Sequence, residues 1–197
     1  GIKSTAIQQA DGSYLLNGSK TFITNGWHAD LVIVVAKTNP AAGGKGTSLL
    51  LVERGMAGFS VGKRLKKLGL RAQDTSELFF DNVRVPAENL LGGPAMENRG
   101  FICLMEQLPW ERLQIAITAV AAAQSAIDQT VAYVKERKVF GQAVGAFQNT
   151  RYTLAELQTE VQVARVFVDK CCELVCQDKL DTETASMAKY WCSDLQC

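Results

Sequence analysis

The spacing of hydrophobic residues changes once along the chain, and this change constrains the fold more than any other feature. Up to about residue 90, short apolar runs are separated by Gly and Asn turns, whereas from about residue 98 apolar residues recur at helical spacing. Residues 91–94 (Leu-Gly-Gly-Pro) separate the two regions, because Gly and Pro interrupt strands and helices alike. The sequence therefore predicts an α+β chain with a β domain over residues 1–92 and a helical domain over residues 93–197.

The first region contains apolar runs of strand length. Predicted strands cover residues 14–18, 21–24, 31–36, 48–52, 59–61 and 77–85. Strands so close in sequence, joined by short Gly and Asn turns, indicate an antiparallel sheet or barrel rather than β-α-β units.

The second region contains three helical patterns. We expect Pro109 to kink the first helix or to mark a junction, because proline has no N–H and clashes with the preceding turn. Gly141 and Gly145 bracket the break before the second helix, and the third begins near Asp181 or Thr182.

Composition excludes several classes of function. The net charge is +1 and no long basic or acidic run occurs, so nothing indicates nucleic-acid binding or a disordered tail. No stretch approaches the roughly 18 apolar residues of a membrane span, so we expect no transmembrane segment. The six cysteines lack zinc-site spacing and the only histidine, His28, is distant in sequence, so we expect reduced thiols and no metal site.

A Gly-rich segment at residues 43–48 (GGKGTS) resembles a phosphate-binding loop only superficially. Gly46 separates Lys45 from Thr47, and a strand rather than a helix follows, whereas a Walker loop requires Lys followed directly by Ser or Thr and then a helix. We interpret the segment as a mobile hairpin loop whose lysine is available to an anionic ligand. The short basic run at residues 63–67 is interpreted as a solvated loop.

Two further segments have open interpretations. Glu111 follows Pro109 and Trp110, and a carboxylate that is partly desolvated beside an aromatic ring is a better general base. An exposed helical glutamate paired with a nearby cation explains the same residues, and composition alone favours it. The cations of residues 135–138 suit the carboxyl end of a helix, or include an arginine that reaches a phosphate.

Several motifs, taken together and in order, resemble the acyl-CoA dehydrogenase family. Residues 17–26 (NGSKTFITNG) resemble its flavin-contacting strand, and residues 68–78 (LGLRAQDTSEL) resemble the signature turn before its last strand. Residues 83–86 and 89–92 follow as expected, and residues 137–141 (RKVFG) with Gln148 match its cofactor-clamping motif. The resemblance covers nearly the whole chain and is closest to the long-chain and isovaleryl branch.

The resemblance implies an antiparallel β-barrel middle domain followed by the first part of a carboxy-terminal α-helical bundle. It also implies FAD as cofactor and a homotetramer. Phe22, Ile23 and Thr24 would line the flavin ring, whereas Arg137 and Gln148 would contact the FAD of a neighbouring subunit.

The resemblance reverses the composition-based interpretation of Glu111. In the long-chain and isovaleryl branch the catalytic base precedes an arginine on the first helix of the bundle, and Glu111 occupies that place. The residues that would contact the acyl-CoA substrate are Gly44, Lys45, Ile102, Pro109, Trp110 and Arg112.

The implied reaction is α,β-dehydrogenation of acyl-CoA thioesters to trans-2-enoyl-CoA in fatty-acid β-oxidation, with long-chain substrates. Electrons would pass to an electron-transferring flavoprotein, in the mitochondrial matrix of a eukaryote or the cytoplasm of a bacterium. Two alternatives remain open: another enzyme of the superfamily such as an acyl-CoA oxidase, and a non-catalytic scaffold or assembly protein that retains the fold.

Parts of the family pattern have no counterpart here. The amino-terminal helical domain, the flavin-contacting segment that follows it and the late Gly-Gly flavin motif are not matched. The chain starts at Gly1 without an initiator Met, and the last helical pattern reaches Cys197 without a stop signal. We therefore expect both ends to lie within a longer protein, and this chain alone to hold FAD poorly and to be inactive.

Overall fold

The computed structural model describes all residues, 1–197, and the chain divides into two compact units. The first unit is Gly1–Leu104 and the second is Met105–Cys197. Each unit has its own hydrophobic core, the first formed by sheet residues and the second by helix residues. The division into an α+β chain is confirmed, while the domain boundary at residue 92 stays a prediction.

The first unit contains one sheet of six strands. These are β1 (Thr5–Gln8), β2 (Tyr14–Thr24), β3 (Leu31–Lys37), β4 (Thr47–Glu53), β5 (Phe59–Arg64) and β6 (Thr75–Val85). Their order is β4-β3-β1-β2-β6-β5, and all neighbours are antiparallel except β1 and β3, which meet in parallel where Thr5 lies opposite Lys37. Strand β1 has no counterpart among the predicted strands.

The sheet is open, so the expected closure into a barrel is wrong. Closure would require β4 to pair with β5, but the two strands form opposite edges of the sheet. The segment after β6 occupies the free edge of β4 instead: Leu50 forms a bridge with Leu90, and the Leu91 N–H donates to the Leu49 carbonyl at 2.9 Å. The edge of β4 is therefore covered at Leu49 and Leu50.

Strand β2 corrects a second expectation. The sequence predicts two strands separated by a turn at Asn17 and Gly18, yet β2 continues through this dipeptide while paired with β6. The register shifts between Leu16 and Gly18, so the predicted break is a bulge within one strand, and a second bulge that was not predicted lies between Lys20 and Ile23.

The second unit is helical. Helix α1 spans Gly100–Glu136, with its first five residues in the first unit, followed by the hairpin strands β7 (Lys138–Val139) and β8 (Gln142–Ala143), then α2 (Gln148–Cys176) and α3 (Thr182–Gln196). Helix α1 runs through Pro109 without a break, so Pro109 marks no junction. Helix α3 begins where the sequence predicts, and Asp181 caps it by accepting a hydrogen bond from the Thr184 N–H at 2.7 Å.

The core of the helical unit contains cysteines as apolar residues. Cys171 of α2 and Cys192 of α3 are fully buried in the same cluster as Leu113 of α1, and all six cysteines are free thiols. Burial raises the pKa of both the Cys171 and Cys192 thiols. They therefore remain protonated and pack as small hydrophobic side chains.

One helix, α1, is long and apolar enough to cross a membrane by length and composition alone. A core helix can meet the same criterion. Leu113, Ala116 and Val120 of α1 are fully buried together with Val161 and Val168 of α2. This packing places part of the apolar surface of α1 in the core of the helical unit, although only 22% of its most apolar window is buried.

Candidate functional site

The end of β2 carries an aromatic side chain and a free hydroxyl next to each other. Phe22 has a left-handed backbone (φ 58°) and leaves 74% of its surface exposed, at the bulge between Lys20 and Ile23. Ile23 is half-buried against the sheet core, whereas Thr24 is exposed and its hydroxyl makes no hydrogen bond within the chain. An exposed aromatic face beside an unused hydroxyl fits a planar ligand that has both a ring face and polar edges.

The turn after β2 is held by the loop between β5 and β6. Asn25 and Trp27 donate backbone hydrogen bonds to the Asp74 carbonyl oxygen (3.1 Å) and the Asp74 carboxylate (2.8 Å). The Arg64 guanidinium lies 5.3 Å from the centre of the Trp27 ring, a cation–π distance. The end of β2 is therefore fixed by a loop that the sequence places about 50 residues away.

The same loop lines a cavity of about 550 Å³ that the sequence analysis missed. The residues around it are His28, Arg64, Leu65, Lys66, Lys67, Arg71, Ala72, Gln73 and Asp74. None of its lysines and arginines forms a salt bridge, and Asp74 is the only carboxylate among the lining residues, so cations outnumber carboxylates around the cavity. The basic run at residues 63–67 is the sequence signal for this cavity, and it is only partly a loop because Lys63 and Arg64 end β5.

Lys20 is also absent from the residues that the sequence predicts for the site. Its ammonium group is partly buried and donates to the Val35 carbonyl at 2.6 Å, with no carboxylate within salt-bridge distance. Burial lowers the pKa of Lys20. The lysine thus ties β2 to β3 two residues before Phe22.

The Gly-rich segment forms helical turns at Pro40–Gly46 and connects antiparallel strands β3 and β4, so it is a hairpin loop as predicted. Gly43 leaves the helical conformation with φ 61°. Gly44 and Lys45 are exposed, and Lys45 has no salt-bridge partner. The Lys45 ammonium is therefore free to meet an anion.

Helix α1 carries the remaining candidate substrate residues. Ile102 in its first turn is 48% exposed, and Trp110 in its third is 44% exposed, while Pro109 between them is half-buried. Both large side chains offer apolar surface that the chain itself does not cover.

Glu111 is exposed and forms no hydrogen bond or salt bridge within the chain. Its neighbour Arg112 does not pair with it, because the Arg112 guanidinium donates to the Ser186 hydroxyl of α3 at 3.1 Å. The Ser186 hydroxyl donates in turn to the Thr182 carbonyl. Neither the expected desolvation nor a paired cation is present around Glu111, whose carboxylate is available to an external proton donor.

The β7–β8 hairpin separates Arg137 from Gln148. The Arg137 carbonyl accepts a hydrogen bond from the Val144 N–H at 2.8 Å, and its guanidinium is exposed with no carboxylate partner. Gln148 begins α2 and donates to the Tyr152 hydroxyl at 2.7 Å. At the hairpin tip, Phe140 is almost fully exposed and has a left-handed backbone (φ 49°). Phe140 is part of the sequence motif, but its exposure and conformation are visible only in the structure.

Comparison with known proteins identifies relatives over the whole chain. A model of the "Acyl-CoA dehydrogenase, middle domain" matches residues 1–83, and one of the "Acyl-CoA dehydrogenase, C-terminal domain" matches residues 98–197. The chain is 51% identical over 198 residues to the mitochondrial long-chain specific acyl-CoA dehydrogenase of Rattus norvegicus, covering 100% of this chain and 45% of the relative. It is 42% identical over 161 residues to the mitochondrial isovaleryl-CoA dehydrogenase of Oryza sativa, covering 82% and 39%.

A solved structure has the same fold. The crystal structure of an acyl-CoA dehydrogenase from Geobacillus kaustophilus superposes with a TM-score of 0.95 at 46% identity, covering 100% of this chain and 51% of that one. The chain therefore spans about half the length of the relatives that it matches.

Proposed function

Because this chain belongs to the acyl-CoA dehydrogenase family, we propose that the protein containing it is an oxidoreductase that dehydrogenates acyl-CoA thioesters to trans-2-enoyl-CoA in fatty-acid β-oxidation. The observation that carries the proposal is the turn of α1 around Glu111. There a free, exposed carboxylate directly precedes an arginine that Ser186 holds in place. The 51% identity to a long-chain specific relative supports long-chain substrates.

The proposed catalytic base is Glu111. It would take the α-proton of the thioester onto its carboxylate as the β-carbon loses hydride, which leaves a trans double bond between the two carbons. A carboxylate without an internal partner can do this without breaking a salt bridge. In the complete protein we expect the bound substrate to exclude water around Glu111, which strengthens its basicity.

The proposed cofactor is FAD, since the family is flavin-dependent. Bound there, it would supply the acceptor for the hydride that leaves the β-carbon. The ring of Phe22 would lie against the flavin, Ile23 would support the strand, and the free Thr24 hydroxyl would form a hydrogen bond to the ring edge. Arg137 and Gln148 would contact the FAD of a neighbouring subunit in a homotetramer, and the unpaired Arg137 guanidinium suits a pyrophosphate.

The proposed substrate site has a polar and an apolar part. Gly44 and the unpaired Lys45 would contact the CoA portion, where a cation can pair with phosphate. Ile102, Pro109 and Trp110 would contact the acyl chain through their uncovered apolar surface. Arg112 would contribute by holding the turn of α1 next to the substrate, through its hydrogen bond to α3.

The proposed electron acceptor is an electron-transferring flavoprotein. We further propose a mitochondrial matrix location if the source is eukaryotic, which the names of the rat and rice relatives support as far as the mitochondrion, and a cytoplasmic one if it is bacterial.

The test is Glu111→Gln in the full-length protein, with acyl-CoA turnover and flavin absorbance measured together. Removal of a general base should lower turnover by roughly 10²–10⁴-fold while the flavin stays bound. Glu106→Gln is the matched control, because Glu106 is another exposed glutamate of the same helix, and this variant should keep normal turnover.

Retention of full activity by Glu111→Gln would remove this residue from the role. Stoichiometric peroxide formation from oxygen would assign the protein to acyl-CoA oxidases instead. A full-length protein that binds neither flavin nor acyl-CoA would be a scaffold that retains the fold.

A further inference from the structure

A polar cluster of three side chains joins the two ends of the hairpin loop, called its neck (Thr38–Asn39 and Gly46–Ser48), to Asn98 just before α1. The Thr38 hydroxyl lies 2.6 Å from the Ser48 hydroxyl and 2.8 Å from the Asn98 side-chain oxygen, 60 positions later in sequence. The Asn98 N–H donates to the Ser48 hydroxyl oxygen at 2.8 Å. Ser48 is fully buried, and the other two are half-buried, so water competes little for these bonds.

The donors and acceptors of this cluster close a ring. Each hydroxyl has one proton to donate. The Thr38 hydroxyl has two acceptors, the Asn98 oxygen at 2.8 Å and the Gly46 carbonyl at 3.4 Å, and the shorter bond is the one to Asn98. With the Thr38 proton on that bond, the Ser48 hydroxyl donates to the Thr38 oxygen, and the Ser48 oxygen accepts from the Asn98 N–H. Hydrogen bonds that follow one another in this way polarise and strengthen each other.

The backbone at the neck of the loop is fixed next to this ring of hydrogen bonds. The Thr38 and Asn39 N–H groups both donate to the Gly46 carbonyl, at 2.9 and 3.0 Å. A Cβ on Gly46 would lie 1.8 Å from the Asn39 carbonyl oxygen, so only glycine allows this approach. The two ends of Pro40–Gly46 are therefore fixed to each other and, through Thr38, to the ring.

The start of α1 is fixed to the same place. A Cβ on Gly100 would lie 2.8 Å from the backbone of Ser48, and Arg99 forms a bridge with Thr47. The first residues of β4 thus hold both the hairpin loop, which carries Gly44 and Lys45, and the first turn of α1, which carries Ile102.

We propose that Thr38, Ser48 and Asn98 are positioning residues that fix the Lys45 loop relative to the first turn of α1, and thereby set the affinity for the CoA portion of the substrate. This inference rests on the proposed function, because it takes Gly44, Lys45 and Ile102 as substrate contacts. The three residues act through the loop and the helix and do not touch the substrate themselves.

The decisive variant is Thr38→Val in the full-length protein, which keeps the shape of the side chain and removes the hydroxyl. Loss of the ring should raise the KM for acyl-CoA and the Kd for coenzyme A by roughly tenfold, with kcat changed by less than about twofold. Amide hydrogen exchange at Thr38, Asn39, Ala42 and Asn98 should accelerate by a similar factor, because these N–H groups are bonded in the neck and the ring.

Two controls separate the hydroxyl from packing. Thr38→Ser keeps the hydroxyl and should restore both KM and exchange to near the wild-type values. Thr159→Val makes the same chemical change at an exposed helical threonine whose hydroxyl binds only the Ala155 carbonyl, and it should alter neither quantity. If Thr38→Val does not fold, Asn98→Gly removes the same ring from its other side and tolerates the left-handed backbone at this position (φ 61°).

Several results would overturn the proposal. Unchanged KM and Kd in Thr38→Val would do so even if exchange accelerated, because the ring would then be only structural. A Thr38→Ser variant as impaired as Thr38→Val would assign the effect to the methyl group. Wild-type protein that binds coenzyme A without oxidising acyl-CoA would contradict the proposed function alone, since the Kd comparison still tests the ring; wild-type protein that binds no coenzyme A would contradict both.

Discussion

Three large apolar residues, Phe22, Leu70 and Phe140, combine exposed side chains with left-handed backbones. Their φ angles are 58°, 43° and 49°, and each side chain leaves at least 74% of its surface exposed. A left-handed conformation costs a residue with a Cβ roughly 1–2 kcal/mol. An exposed side chain offsets little of this free energy by packing within the chain. Such strain is characteristic of functional positions, in agreement with the proposed role of Phe22.

A comparison of two substitutions at Phe22 tests this cost. Both Phe22→Ala and Phe22→Gly remove the ring, but only glycine adopts φ 58° without strain. Phe22→Gly should therefore be more stable than Phe22→Ala by about 1 kcal/mol in urea unfolding of the full-length protein. Both should bind flavin more weakly than the wild type. Equal stabilities of the two variants would show that the backbone at Phe22 relaxes at no cost.

At the scale of the element, helix α3 depends on a charged cap. Asp181 accepts hydrogen bonds from both the N–H (2.7 Å) and the hydroxyl (2.8 Å) of Thr184. These bonds hold the pKa of the Asp181 carboxyl below its ordinary value of 3.8. Because the folded-state pKa is depressed, the stabilisation is fully present above pH 3.8 and is lost as the pH falls through the folded-state pKa.

This linkage gives a pH-dependent prediction for Asp181→Asn. Asparagine is also a good cap but does not ionise, so the stability advantage of the wild type should shrink as the pH is lowered from about 5 to about 3. The measurement is Tm against pH for both proteins, and other carboxylates cancel because both contain them. Asp181→Ala, which has no cap, should have the lowest Tm at neutral pH. A difference between wild type and Asp181→Asn that does not change with pH would contradict the assignment.

At the scale of the whole molecule, the chain contains two separate cores. Leu16 is fully buried in the core of the sheet, and Leu113 is fully buried in the core of the helical unit. Buried apolar residues stabilise the elements that they contact, so each core supports its own unit.

Leu16→Ala and Leu113→Ala should therefore destabilise different parts of the protein. Each substitution should cost about 2–5 kcal/mol, because it removes buried methyl groups and leaves a cavity. Hydrogen exchange should accelerate mainly in β1–β6 for Leu16→Ala and mainly in α1–α3 for Leu113→Ala. Uniform acceleration over both units in either variant would mean that the units unfold as one.

Local sequence determined much of this architecture. The hydrophobic spacing located five of the six strands of the sheet and all three helices, because apolar residues recur at the period of the element that buries them. Asp181 was identifiable as a helix start from its residue type alone. The order of the motifs was sufficient to indicate the family, and the candidate residues at 22–24, 44–45, 111, 137 and 148 follow from that order.

Other features depended on partners far away in sequence. Strand β2 passes through Asn17 and Gly18 because its hydrogen bonds to β6 outweigh a local turn preference. Strand β1 was missed because four residues carry too little periodicity, and it exists only between β2 and β3.

The sequence by itself determined the type of each long element and the α+β order, since these follow from spacing and residue type, and the order of its motifs supplied the residues proposed for the site. The tertiary structure decided that the sheet stays open, because residues 90 and 91 pair with the edge of β4. It also decided that Thr38, Ser48 and Asn98 meet in one ring. Hydrogen-bond partners 60 positions apart have no local signature, and only the folded backbone brings them within 3 Å of each other.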